Sequence, residues 1–199
     1  MRRRSSRLLL ALLVLGPTAA AAAQVIDSLK LQPESRLWVE GTSTVRSFKC
    51  EAGVVQADVL AEAPGAVSAV MDGQKAVSTV RVTIPAAQLD CRNGTMNGHM
   101  LKALKAKDNP MIEFALSSYD IAKSDAGMNG TLTGTLTLGG VPRTITLDAV
   151  ATEESGALRV RGTHQLMMTE FGLTPPSLML GTMKVNEKVT VGFDLYLKG

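Results

Sequence analysis

Gly130-Thr131-Leu132-Thr133-Gly134-Thr135-Leu136-Thr137-Leu138 alternates hydroxyl side chains with apolar or small ones without a slip. Successive side chains on a strand point to opposite faces, so this stretch is a strand with one dry face and one wet face. The end of the chain repeats the pattern, with Val189, Val191, Phe193, Leu195 and Leu197 set against Thr190, Asp194 and Tyr196. Buried parallel strands read as continuous apolar runs, whereas two-faced strands belong to antiparallel sheets and barrels. The expectation is an all-β antiparallel barrel, and a small barrel can hold an apolar ligand.

Outward from these two stretches, further strands are expected at 36–45, 48–60, 77–84, 111–121, 143–150 and 158–168, eight or nine in all. The 48–60 stretch reads as one strand or one long bent strand. Gly41 marks a bulge or bend, and Gly139-Gly140-Val141-Pro142 marks a hairpin. The strand–helix–strand rhythm of a parallel sheet is missing. One segment, 96–107, departs from the β pattern. Its apolar residues Met96, Met100, Leu101 and Leu104 follow helical spacing, with Lys102, Lys105 and Lys107 on the solvated face. Thr95 or Asn97 is the expected N-cap, and Pro110 blocks continuation. Such a helix buries its Met/Leu stripe against the sheet or over a barrel mouth.

The N-terminus reads differently. Arg2, Arg3, Arg4 and Arg7 precede an apolar run from Leu8 to Leu15 and the small residues Ala21-Ala22-Ala23. This is the pattern of a cleaved secretory signal over 1–23, leaving one domain over 24–199. The apolar run is far short of the ~20 residues a membrane span needs. Cleavage changes the charge balance from 21 bases against 18 acids to 17 against 18. The basic character therefore belongs to the signal, and nucleic-acid binding is not expected. The destination is periplasmic or secreted. Cys50 and Cys91, an even pair in an exported chain, are expected to form a disulfide between adjacent strands.

The inventory of reactive groups is thin. His99 and His164 stand far apart, and no H-E-x-x-H, G-x-S-x-G, G-x-G-x-x-G or P-loop pattern occurs. No enzyme activity, metal or cofactor is expected. Methionine is plentiful: Met96 and Met100 lie one helical turn apart, Met167 and Met168 are adjacent, and Met179 and Met183 follow. Three readings stay open for these thioethers: core filler, the lining of a lipid tail, or a Cu(I) site.

Four segments resemble the YceI-like family of exported, lipocalin-like proteins associated with polyisoprenoid binding. They are Leu37-Trp38-Val39-Glu40-Gly41-Thr42-Ser43-Thr44-Val45 with Phe48, the run from Gly98-His99-Met100 through Asn109-Pro110-Met111-Ile112-Glu113-Phe114, the hairpin Gly134-Thr135-Leu136-Thr137-Leu138-Gly139-Gly140-Val141-Pro142-Arg143, and the turn Thr169-Glu170-Phe171-Gly172-Leu173. Three positions depart from the family pattern. Thr42 stands where a histidine is common, Met168 where an arginine is common, and 93–97 where an arginine–aspartate pair is common. These changes predict a more apolar cavity with less capacity for an anionic head group.

The resemblance implies an eight-stranded antiparallel lipocalin-like barrel with one short amphipathic helix beside its mouth. It also implies a long apolar lipid, polyisoprenoid or isoprenoid quinone, as the ligand. Trp38, Met100, Leu104, Phe114, Leu132, Leu136, Met168 and Phe171 are the expected lining, with Trp38 alternatively a plug at the closed end. Gly134 is expected to leave tunnel space. The competing expectation is a non-catalytic interaction protein whose barrel is filled by its own side chains. The oligomeric state, monomer or dimer, stays open.

Overall fold

The structure is a computed structural model that describes residues 27–178 and 182–199, so the signal-like segment 1–23 and Met179 lie outside the described residues. It forms β1 (Asp27–Leu31), β2 (Arg36–Ser43), β3 (Ser47–Ala52), β4 (Gln56–Ala61), α1 (Ala66–Met71), β5 (Val77–Pro85), β6 (Leu89–Asp90), α2 (Gly94–Ala103), β7 (Met111–Ser124), β8 (Gly127–Leu138), β9 (Val141–Glu154), β10 (Ala157–Met167), β11 (Ser177–Leu178) and β12 (Met183–Lys198). The main sheet runs β1-β4-β5-β7-β8-β9-β10-β12-β2-β3-β6, and β1 also pairs with β12, which closes the ring.

The first three tracks of the barrel are each bent into two strands. β1 and β2 run in turn along β12, with Leu31 opposite Leu197 and Arg36 opposite Asp194. β4 and β3 follow β1 and β2, and β5 and β6 follow β4 and β3 around the 3-10 turn Ala86–Gln88. With each bent pair taken as one track, the chain is a closed eight-stranded antiparallel barrel, the class the alternation implies. The 48–60 stretch is thus two strands. The break falls at Gly53, whose N–H turns aside to the Gln88 carbonyl at 2.7 Å. A bulge between Leu116 and Ser118 flips the parity of β7, so Phe114 and Leu116 share the inner face with Tyr119 and Ile121.

α1 closes one end, where Ala66 and Val70 pack with Leu29, Val59, Ala61, Leu158 and Leu197. α2 lies at the other end and starts earlier than its apolar stripe suggests. Its cap is Asn93, neither Thr95 nor Asn97: the Asn93 Oδ1 accepts from Met96 N at 3.0 Å. Asn97 is occupied otherwise, accepting from Cys91 N and donating to Asp90, each at 2.8 Å. Lys105 is also not an idle surface lysine. It has a positive φ of 53° and its ammonium donates to the Gly172 carbonyl at 2.9 Å, fastening the end of the helical segment to the 168–173 turn.

Four of the chain's seven aromatics sit over strand glycines. A Cβ on Gly134 would lie 2.5 Å from the Phe114 ring, and one on Gly162 would lie 2.7 Å from the Phe193 ring. Phe48 covers Gly41 in the same way, and Trp38 covers Gly192. This corrects the expectation for Gly134. The room it leaves is taken by Phe114, whose ring lies against the wall. Trp38 is on the outside of the barrel, opposite Gly192 in register, with the Lys49 ammonium 4.3 Å from its ring centroid; it neither lines the interior nor plugs an end.

Outside, Thr133 and Thr146 share a hydroxyl contact of 3.1 Å across β8 and β9. Between β10 and β12, Arg159 grips both oxygens of Asp194 at 2.8 and 2.7 Å and also reaches Glu154 at 2.8 Å. Hydrogen bonds from Arg159, reinforced by its charge, hold the Asp194 carboxyl below the usual carboxylate range. Cys50 and Cys91 form the expected disulfide, joining β3 to the loop before α2.

Three expected outcomes follow from this packing. Gly134→Ala should destabilise the fold by about 1–3 kcal/mol in denaturant titration, because overpacking forces neighbours off their rotamers. The Ala115 carbonyl, 2.6 Å from the added Cβ, is backbone and cannot swing away. Alkylation of the native protein should label neither cysteine, and Cys50→Ser with Cys91→Ser should lower stability by about 2–4 kcal/mol. Asp194 has a depressed folded-state pKa, so its contribution is complete above the ordinary carboxylate range and disappears as pH falls through the depressed value. Thermal midpoints of Asp194→Asn should therefore lie below wild type at neutral pH and converge with it in strong acid.

Candidate functional site

The inner faces of the strands enclose a cavity of about 540 Å³. β8 contributes Leu132, Leu136 and Leu138, and β9 contributes Ile145, Leu147 and Ala149. β10 contributes Leu158, Val160 and Leu166, and β12 contributes Val189, Val191, Phe193 and Leu195. Each set follows the period of two that the sequence shows, so the dry faces of these four strands are cavity wall. The barrel is not filled by its own side chains.

The lining residues that are themselves exposed mark the opening: Arg46 on the β2–β3 hairpin, Asn93 and Thr95 at the start of α2, and Lys184 on β12. Backbone and hydroxyl groups of Thr44 bind the backbone of Lys184 at 3.0 and 3.3 Å, which keeps the hairpin and β12 side by side at this rim. α2 spans the same end. Its cavity face carries Met96, His99, Met100 and Ala103, continued by Leu104, and none of the helix's own residues is fully buried.

The lining contains Arg46, Lys184, His99 and His164, and among the described residues no Asp or Glu lines it. Two permanent cations, Arg46 and Lys184, stand at the mouth, away from the positions where the family pattern puts its arginine and histidine. Arg46 and Lys184 carry no sequence pattern that marks them. The barrel's register alone brings the hairpin tip and the start of β12 together. His164 is legible in hindsight, since it keeps phase with Leu158, Val160 and Leu166.

Of the expected lining, Met100, Leu104, Phe114, Leu132, Leu136 and Met168 border the cavity. Trp38 faces outward, as described. Phe171 is 1 % exposed and packs in the core with Leu104, Leu138 and Leu173, beside the cavity and not on its wall. Gly134 lies on the inner face beneath Phe114 and is covered by that ring. Cys50 and Cys91 both border the cavity, so the disulfide is part of its wall.

Comparison with known proteins agrees with this architecture. The barrel superposes on BcnA of Burkholderia cenocepacia with a TM-score of 0.65 at 20% identity, covering 82% of this chain and 96% of that one. It superposes on a polyisoprenoid-binding domain from Saccharophagus degradans, implicated in plant cell wall breakdown, with a TM-score of 0.63 at 12% identity, covering 89% and 99%. The YceI protein of Campylobacter jejuni gives 0.58 at 18% identity, covering 75% and 83%. At these identities the likeness is one of fold. No curated protein sequence matches the chain. The family model for the YceI-like domain matches residues 39–197, which takes in every strand of the barrel from β3 to β12 and most of β2, and the chain belongs to the YceI-like family.

Proposed function

We propose that this is an exported, non-catalytic binding protein that holds a long apolar lipid inside its barrel. The ligand class is a polyisoprenoid or isoprenoid quinone, with its polar end at the mouth near Arg46 and Lys184. The observation that carries this reading is the cavity: about 540 Å³, within the roughly 300–1,000 Å³ usual for small-molecule sites, and walled by leucine, valine, isoleucine and phenylalanine. Each CH₂-sized unit brought in from water contributes ~0.8 kcal/mol. A dozen such units would give about 10 kcal/mol, which exceeds the lower end, about 4 kcal/mol, of the association cost. Affinity then scales with chain length, and the interior needs no specific bonds.

Family membership supports the reading, as does the likeness to a domain described as polyisoprenoid-binding. Export is supported by the arginine–leucine–alanine order at the N-terminus and by the disulfide, which suits an oxidising compartment. A self-filled barrel working only through its surface is disfavoured by the open interior.

Native mass spectrometry of protein purified from an exporting host tests the proposal. Wild type should carry a lipid-sized adduct. Val160→Phe with Val191→Phe, which fills the interior with apolar volume, should lose the adduct while keeping a cooperative thermal transition. Arg46→Glu with Lys184→Glu should reduce retention of a phosphate-headed isoprenoid several-fold relative to one with a neutral head. An absence of lipid from wild type, together with no uptake of added polyprenol, would sink the reading.

A further inference from the structure

Met96, His99 and Met100 stand at i, i+3 and i+4 on α2, and all three border the cavity. That spacing places Met96 beside His99 (i+3) and beside Met100 (i+4), with Cβ atoms about 5–6 Å apart in each pair, and His99 and Met100 on either side of it. Two flexible thioethers and an imidazole thus border one cavity, with Met96 as the middle member of the set. The Met100 thioether is already seated, its Sδ 3.8 Å from the Cys91 Sγ of the disulfide. Among the described residues the His99 imidazole has no hydrogen-bond partner, although it borders the cavity.

The chemistry of the set is selective. Hard divalent cations need oxygen ligands, and among the described residues no carboxylate lines the cavity. No group of three or more His, Cys, Asp or Glu suited to an ordinary transition-metal site occurs among them either. Thioether and imidazole are neutral donors, and thioether in particular favours Cu(I). From the sequence, the scarcity of histidine weighs against copper. The fold changes that balance, because one of the chain's two histidines borders the same cavity as both methionines, one helical turn from Met96.

We propose that Met96, His99 and Met100 form a Cu(I)-binding site at the mouth of the cavity. The cysteines are no part of the donor set, since both are held in the disulfide. The site is independent of lipid binding and stands or falls by itself.

The test supplies Cu(I) under ascorbate to the purified protein, in competition with bicinchoninate, with alkylation used to check that the disulfide stays closed. One equivalent of Cu(I) should bind. Met96→Leu with Met100→Leu should weaken binding at least tenfold, His99→Phe should do the same, and Met168→Leu should leave it unchanged. Cys50→Ser with Cys91→Ser should still bind, since no thiol takes part. A readout that needs no variant is NMR with Ag(I) as a redox-silent surrogate: the shifts should concentrate on the Met96 and Met100 ε-methyls and the His99 ring. Copper held no more tightly by wild type than by the double leucine variant would overturn the proposal. So would Ag(I) shifts spread evenly over all the methionines.

Discussion

Everything in this molecule depends on the closure made by β12. This strand runs from Met183 to Lys198, pairs with β10 along one edge and divides its other edge between β2 and β1. An antiparallel sheet left open would expose an unpaired edge and one apolar face. Closure removes the edge and turns the apolar faces of all eight tracks toward one axis. Because β12 is longer than either partner on its second edge, those partners must bend. The break between β1 and β2 passes to their neighbours, β3 with β4 and β5 with β6. The bent half of the barrel is thus a consequence of one long strand pairing with two short ones.

A barrel of this size can fill itself or enclose a ligand, and the placement of aromatic rings decides between them. Phe48, Phe114 and Phe193 are the phenylalanines on the inner wall, and each covers a glycine on a neighbouring strand. A ring held against the wall leaves the axis open, where a ring projecting inward would fill it. Most of the remaining wall is aliphatic. The strand glycines are therefore structural partners of the aromatics, and their absent side chains are what keep the volume free.

Where a strand alternates strictly, the sequence is enough to assign its face: β8, β10 and β12 are legible residue by residue, and so are Leu132, Leu136 and Leu166 as wall. Alternation fails in three places, each for a local reason. Leu37-Trp38-Val39 is an unbroken apolar run, so nothing in it says which residue points outward; the register against Val191, Gly192 and Phe193 does. Phe171 sits in a 3-10 turn, where neither period applies. Tyr119 and Ile121 follow a bulge that reverses phase. β1 and α1 are too short to show any period. Arg46 and Lys184 lie outside all pattern, because what matters about them is proximity, and proximity is set by how the sheet closes.

The two ends of the helical segment over the mouth are fixed by different chemistry. At its start, the disulfide ties Cys91 to β3, and Asn97 holds the backbone of Cys91 and the side chain of Asp90. Just past its end, Lys105 binds Gly172, and Asn109 packs on Gly140 of the β8–β9 turn. Between these anchors no residue of α2 is fully buried, so the helix is held at its ends and only lightly by its face. A covalent tie at one end and a lysine-carbonyl bond at the other restrain a hinged swing about either. The exposed members of the cavity wall, Arg46, Asn93, Thr95 and Lys184, lie at the start of α2, on the β2–β3 hairpin and at the start of β12. The opening of the cavity and the location of the cations coincide, so in the proposed lipid-binding role the end of the ligand left at the mouth is the part that meets charge.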